Sequence, residues 1–245
     1  MAINPMNSRL KAQLKMAINR LRLVQEKETA LAKESRRGLA QLLTDSKEQS
    51  ARIRVENVIR SDIYVELLEM LELYCELLLA RIGMLESREC DPGLEEAVKT
   101  IIYAAPRTEI KELTVIREIF VAKFGKEFAL EVIEHPAQYV QEKILKRLRV
   151  DPPSEELVTL YLKEIAKAYH APFSQLTEED LKEEEKEEED DNEEEEDNEK
   201  GDNEKEGKKK KEKSVLPLAA RAPPHKKVDK DLDDLQKRFD ALRKH

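Results

Sequence analysis

Leu232, Leu235, Phe239 and Leu242 stand at i, i+3, i+7 and i+10 in DLDDLQKRFDALRKH, the last stretch of a 245-residue sequence. A helix through them carries all four on one face. Asp229, Asp231, Asp233 and Asp234 gather at its start, and Arg243 and Lys244 at its end, so both termini suit the helix macrodipole. The chemistry on offer is recognition. An isolated amphipathic helix this short is marginal in water but fits an apolar groove on a partner. Each buried side chain of this kind contributes ~1.5–3 kcal/mol, and after the cost of ordering the segment the expected affinity is micromolar. The alternative is a helix that docks on its own domain or frays.

A second candidate set is basic. Lys11, Lys15, Arg22, Lys33, Arg36 and Arg37 read as one face of a first helix. Such a face can meet anionic lipid, nucleic-acid phosphate, or Glu69, Glu72 and Glu76 on a neighbouring copy, the alternative being a solvated helix face. The formal net charge of −9 is segregated: residues 1–60 carry +7, 61–180 carry −10, 181–213 carry −9 and 214–245 carry +3. A basic first quarter in an acidic protein implies a directed electrostatic surface.

Catalytic patterns are missing from the sequence. It has no glycine-rich phosphate loop, HExxH, CxxC or nucleophile elbow. His135, His170, His225 and His245 lack paired metal-ligand spacing, and the Glu-rich stretch encloses no pocket that would shift its carboxylates. The expectation is a non-enzyme with no catalytic residue, metal, cofactor or small-molecule substrate. Cys75 and Cys90 read as a core thiol and a loop thiol, which fits a reducing compartment. The longest apolar run, Ile101 to Ala105, is far below the ~20 residues that span a bilayer, and MAINPMN has no apolar signal region. A cytosolic protein, or one peripheral on a membrane, is expected.

The positioning elements are helices, because charged residues make up 40% and aromatics 4%, with six Gly and no Trp. Leu10, Leu14, Ala17, Ile18, Leu21 and Val24 recur at helical spacing, resumed by Leu31, Leu39, Leu42 and Leu43, predicting a helix over about 8–44. Thr44-Asp45-Ser46 predicts a turn, and Val55, Val58, Ile59, Ile63, Leu67, Leu71, Leu78 and Ile82 predict a second long helix to about Glu86. Two such helices form an antiparallel hairpin. Asp91-Pro92-Gly93 opens a shorter helix that Pro106 closes. Further helices are predicted over 108–124, over 128–133 beyond Gly125, and over 137–149. Asp151-Pro152-Pro153 separates these from a final helix capped by Ser154, with Leu157, Leu160, Tyr161, Ile165 and Tyr169 on its buried face. The domains read as a folded unit over 8–173, an acidic and Lys-rich disordered linker over 174–225, and the amphipathic helix over 226–245.

The blocks LKMAINRLRLVQEKE with AKESRR, VENVIRSDIYVELLEMLELYCELLLARI, EEAVKTIIYAAPR and ELVTLYLKEIAKAYHAPF resemble, in that order, the increased sodium tolerance family of ESCRT-III-related vacuolar sorting regulators. The tail resembles the type 1 MIT-interacting motif of ESCRT-III proteins. The pattern falls on Leu235, Arg238, Phe239, Leu242 and Arg243, with Leu232 at the position usually acidic and Phe239 in place of a Leu. VLPLAARAPP, Val215 to Pro224, resembles an extended MIT-binding motif or is an ordinary Pro-rich linker.

The resemblance implies an all-α, ESCRT-III-like bundle with a long α1–α2 hairpin and shorter packed helices. It implies an adaptor that co-assembles with other ESCRT-III subunits, in homo- or hetero-filaments on anionic endosomal membranes. There it would recruit the MIT-domain AAA ATPase in multivesicular-body sorting, with a possible part in cytokinesis. A rival reading is an acidic-tailed chaperone for basic nuclear proteins; a third is a plain coiled-coil scaffold.

Overall fold

The computed structural model describes residues 5–149 and 151–176, and those residues contain helices and turns but no strand. α1 spans Pro5–Thr44 and α2 spans Glu48–Ala80, bounds close to those the apolar periodicity predicts. Contacts between them run in opposite directions along the two helices: Arg22 meets Glu76, Gln25 meets Glu72 and Arg36 meets Asp62. The pair is an antiparallel hairpin.

The turn is a helix C-terminal lock. Ser46 N–H donates to the Leu43 carbonyl, Lys47 N–H donates to the Leu42 carbonyl, and Ser46 takes the left-handed conformation at φ 58 that this closure needs. α2 stops at Ala80, earlier than predicted, and a 3₁₀ turn over Ile82–Glu86 carries the chain on, burying Leu85.

α3, Pro92–Ala104, starts where Asp91 accepts from the Gly93 N–H at 2.8 Å. α4, Lys111–Phe124, ends at Gly125, whose φ of 98 and ψ of 163 is open to glycine alone; α5 follows over Lys126–Glu134. The single helix predicted over 137–149 is two. α6, Pro136–Tyr139, and α7, Glu142–Leu148, are separated at Val140, where extended backbone turns the side chain inward to 4% exposure. α8, Glu155–Ala168, is capped by Ser154 Oγ, which accepts from the Leu157 N–H. Its buried face is rotated from the predicted one. Val158 and Leu162 join Tyr161 and Ile165 inside, Leu157 and Tyr169 are half-buried, and Leu160 is exposed. Leu31 of α1, expected in the buried stripe, also faces solvent, and Ala32 takes its place.

The helices form two compact units. One comprises residues 5–36 with 56–153; its core includes Leu10, Leu14, Leu21, Leu71, Cys75, Val98, Ile102, Ile116, Phe120 and Ile144. The other joins residues 37–55 to α8 and the segment after it, and buries Leu39, Leu43, Val55, Tyr161, Leu162, Ile165, Ala171 and Phe173. No helix among the described residues is long and apolar enough to cross a membrane.

Candidate functional site

The candidate site is a surface on α1 and α2 within the first unit. Lys11 and Lys15 point to solvent, and no hydrogen bond or ion pair among the described residues engages them. Arg22 is also exposed but spans to α2: its Nε donates to Glu72 Oε1 and its Nη2 to Glu76 Oε1, both at 2.5 Å. The Glu72 hydrogen bond and charge, seconded by Glu76, hold the Arg22 pKa above the ordinary arginine value. Glu72 and Glu76, considered above as partners on a neighbouring copy, are therefore engaged within the same chain. Gln25 adds a hydrogen bond to Glu72 at 2.8 Å.

Arg36 does not belong to the exposed basic face. It is 2% exposed and donates from Nη2 to Asp62 Oδ2 at 2.7 Å, with Asp62 equally enclosed. A buried guanidinium needs an ionised partner, and Asp62 occupies a position in the α2 stripe that supplies one. Lys33 is half-buried. Arg37 is exposed, on the part of α1 that belongs to the second unit. The structure thus brings Lys11, Lys15 and Arg22 together and withdraws Arg36.

Lys15, Ile18, Asn19, Arg22, Glu76, Leu79 and Ala80 line an open groove of about 430 Å³. Its floor is apolar and its edges carry charge, the pattern of a seat for an amphipathic segment. Met16 and Leu23, 51% and 57% exposed, also lie on the solvent side of α1. Reading the sequence for its buried stripe passed over these two; their seven-residue spacing opposite that stripe is the signal that would have found them.

A second groove of about 330 Å³ lies against α3 and α6, lined by Pro92, Glu95, Glu96, Gln138, Tyr139, Val140 and Gln141. Beneath it Lys99, 1% exposed, donates to Glu95 Oε1 at 2.8 Å and Glu131 Oε2 at 2.9 Å, with Nζ 3.3 Å from the Tyr139 ring centre. Burial alone would lower the Lys99 pKa, but the two carboxylate hydrogen bonds outweigh it and the net direction is up. Lys99 is a charged pin that ties α6 and α5 to α3.

Burial also shifts the two thiols and a tyrosine of this unit. Burial pushes the Cys75 thiol up to about 12 and, with Glu95 nearby, the Cys90 thiol up to about 11, so neither is a thiolate near neutrality. Burial and then Glu96 also raise the Tyr74 hydroxyl. Among the described residues no group of three or more His, Cys, Asp or Glu side chains could hold a metal ion. The terminal motif at Leu232, Leu235, Arg238, Phe239, Leu242 and Arg243, and VLPLAARAPP, lie outside the described residues.

Residues 11–172, nearly the whole described domain, match the family model for Ist1, regulator of Vps4 activity in the MVB pathway. This chain belongs to the Ist1 family. It is 47% identical over 182 residues to the vacuolar protein sorting-associated protein IST1 of Saccharomyces cerevisiae, an alignment covering 70% of this chain and 61% of that protein. An IST1-like protein of Dictyostelium discoideum is 34% identical over 163 residues, covering 66% and 44%, and the Schizosaccharomyces pombe ist1 protein is 36% identical over 165 residues, covering 66% and 60%. The chain therefore spans less than two thirds of the length of these Ist1 relatives. The crystal structure of the S. cerevisiae Ist1 N-terminal domain in complex with a Did2 MIM motif is similar over 71% of this chain and 97% of that one, at 47% identity and a TM-score of 0.64. The all-α Ist1 fold is thus established for this chain.

Proposed function

We propose that this chain is a non-catalytic adaptor that co-assembles with ESCRT-III subunits and recruits or regulates the MIT-domain AAA ATPase Vps4 in multivesicular-body sorting. The observation that carries the reading is the family match across residues 11–172, joined in one sequence to the terminal Leu235–Arg243 pattern. The helical domain over 8–173 is the assembly module, 226–245 is the MIT-binding helix, and 174–225 links them. A solved relative holds a MIM motif, and the α1–α2 groove, with Ile18 and Leu79 at its floor, offers an apolar seat for such a segment. Lys11 and Lys15, free of the carboxylates that hold Arg22, direct the domain toward anionic endosomal membrane or an acidic subunit. Many weakly binding terminal helices in one assembly would multiply their hold on the ATPase through local concentration.

Fluorescence anisotropy of a labelled 226–245 peptide against the Vps4 MIT domain tests the ATPase arm. Saturable micromolar binding, lost on Leu242→Asp, is expected; absence of binding up to millimolar would overturn the recruitment mechanism.

A further inference from the structure

We propose that Ser174 is a phosphoacceptor and that a phosphate on it detaches the segment 171–176 from Glu48 at the start of α2. Both ends of this contact belong to the second unit. α8 ends in a helix lock: Ala171 N–H donates to the Ala166 carbonyl and His170 N–H to the Lys167 carbonyl, with His170 left-handed at φ 48. The chain then leaves as a strap. It buries Ala171 and Phe173, and Ser174 closes on the hairpin. The Ser174 N–H donates to Glu48 Oε1 at 2.8 Å and its hydroxyl to Glu48 Oε2 at 2.7 Å.

Three features make this hydroxyl a switch rather than a decoration. Ser174 is exposed and lies outside any helix, where an enzyme can reach it. Its partner is a carboxylate 126 residues away in sequence, so the contact joins separate elements. That carboxylate can only accept hydrogen bonds, and those from the Ser174 hydroxyl and amide hold its pKa low, so it remains charged.

A protein kinase using a nucleoside triphosphate would supply the group. The Ser174 Oγ–P bond forms and the bond from the γ-phosphorus to the β–γ bridging oxygen breaks. The nucleoside diphosphate leaves, and the hydroxyl proton passes to the kinase's base. The product carries about −1.5 to −2 charges at pH 7 and offers only acceptors to Glu48, so a hydrogen bond becomes a like-charge contact. Arg52 is the competing cation: its guanidinium lies 5.9 Å from the Phe173 ring centre and donates to Thr159 Oγ1 at 3.3 Å. Capture of the phosphate by Arg52 would tighten the strap instead.

The test uses the full chain. Phosphosite mapping of the protein isolated from the cells that make it, with phosphatases blocked, should find phosphate on Ser174; its absence overturns the proposal. The chain carrying phosphoserine at 174 should exchange the amides of 171–176 at least tenfold faster than Ser174→Ala, while α3 amides keep their protection. Exchange no faster than in Ser174→Ala, slower exchange than wild type through Arg52, or loss of α3 protection through global unfolding would each overturn it.

Discussion

Arg36 and Asp62 enclose opposite charges at a contact of 2.7 Å, and the consequence of breaking that pair is asymmetric. Asp62→Ala leaves a buried guanidinium without its carboxylate and should destabilise the domain by about 3–5 kcal/mol in urea titration. Arg36→Met with Asp62→Leu should recover most of that loss, because an apolar pair nearer the original volume removes the stranded charge and its desolvation cost. Two unrelated positions would instead add their effects. The thiols give a second check. With its pKa near 11, Cys90 should react with iodoacetamide at pH 8 on the order of a hundredfold more slowly than an unperturbed thiol. At this scale the sequence was only partly legible. Arg36 looks like one more exposed base unless it is seen to stand among Ala32, Leu39 and Leu43 on the buried stripe, facing an acid that also occupies a stripe position. For Lys99 only the i,i+4 pairing with Glu95 was within reach of the sequence, since Glu131 and Tyr139 come from α5 and α6.

The long elements were legible because apolar side chains repeat at the helical period for ten turns or so, while the short ones depended on punctuation. Asp91-Pro92 and Ser154 announce helix starts, and Gly125 announces an end. Val140 breaks a helix with no glycine or proline to mark it; burial of its side chain sets the backbone, a tertiary cause that local sequence does not carry. Leu160 misled in the opposite way, being as apolar as the neighbours that do face the core. Gly125→Ala should cost ~1–3 kcal/mol from backbone strain alone, since an added Cβ would meet no atom within 4 Å; urea titration measures it. The Glu48 clasp predicts a pH dependence. Its folded pKa is depressed, so its stabilisation is present above the unfolded value near 4.5 and is lost as pH falls through the lower folded value. After correction for intrinsic rates, exchange at 171–176 should rise on acidification through that window, and Glu48→Gln should flatten the response.

For the whole molecule, the charge segregation sets the next measurement. Lys11→Glu with Lys15→Glu should weaken pelleting with anionic liposomes at least severalfold, more so at low salt, while circular dichroism stays unchanged. Unaltered pelleting would assign the patch to solvent. On the proposed recruitment mechanism, deleting residues 183–206 should leave MIT-domain binding within about twofold, because the contact is assigned to 226–245 and the acidic run only spaces it. The two compact units have another consequence, which concerns synthesis. Neither is a continuous stretch of chain: 37–55 is made early and its partners from Ser154 onward come about a hundred residues later. At ~5–20 residues per second, Leu39, Leu43 and Val55 would wait roughly 5–20 s on the ribosome before their cover emerges. During that interval the nascent hairpin tip is a natural client for chaperones, and slow codons between 56 and 153 would prolong its exposure.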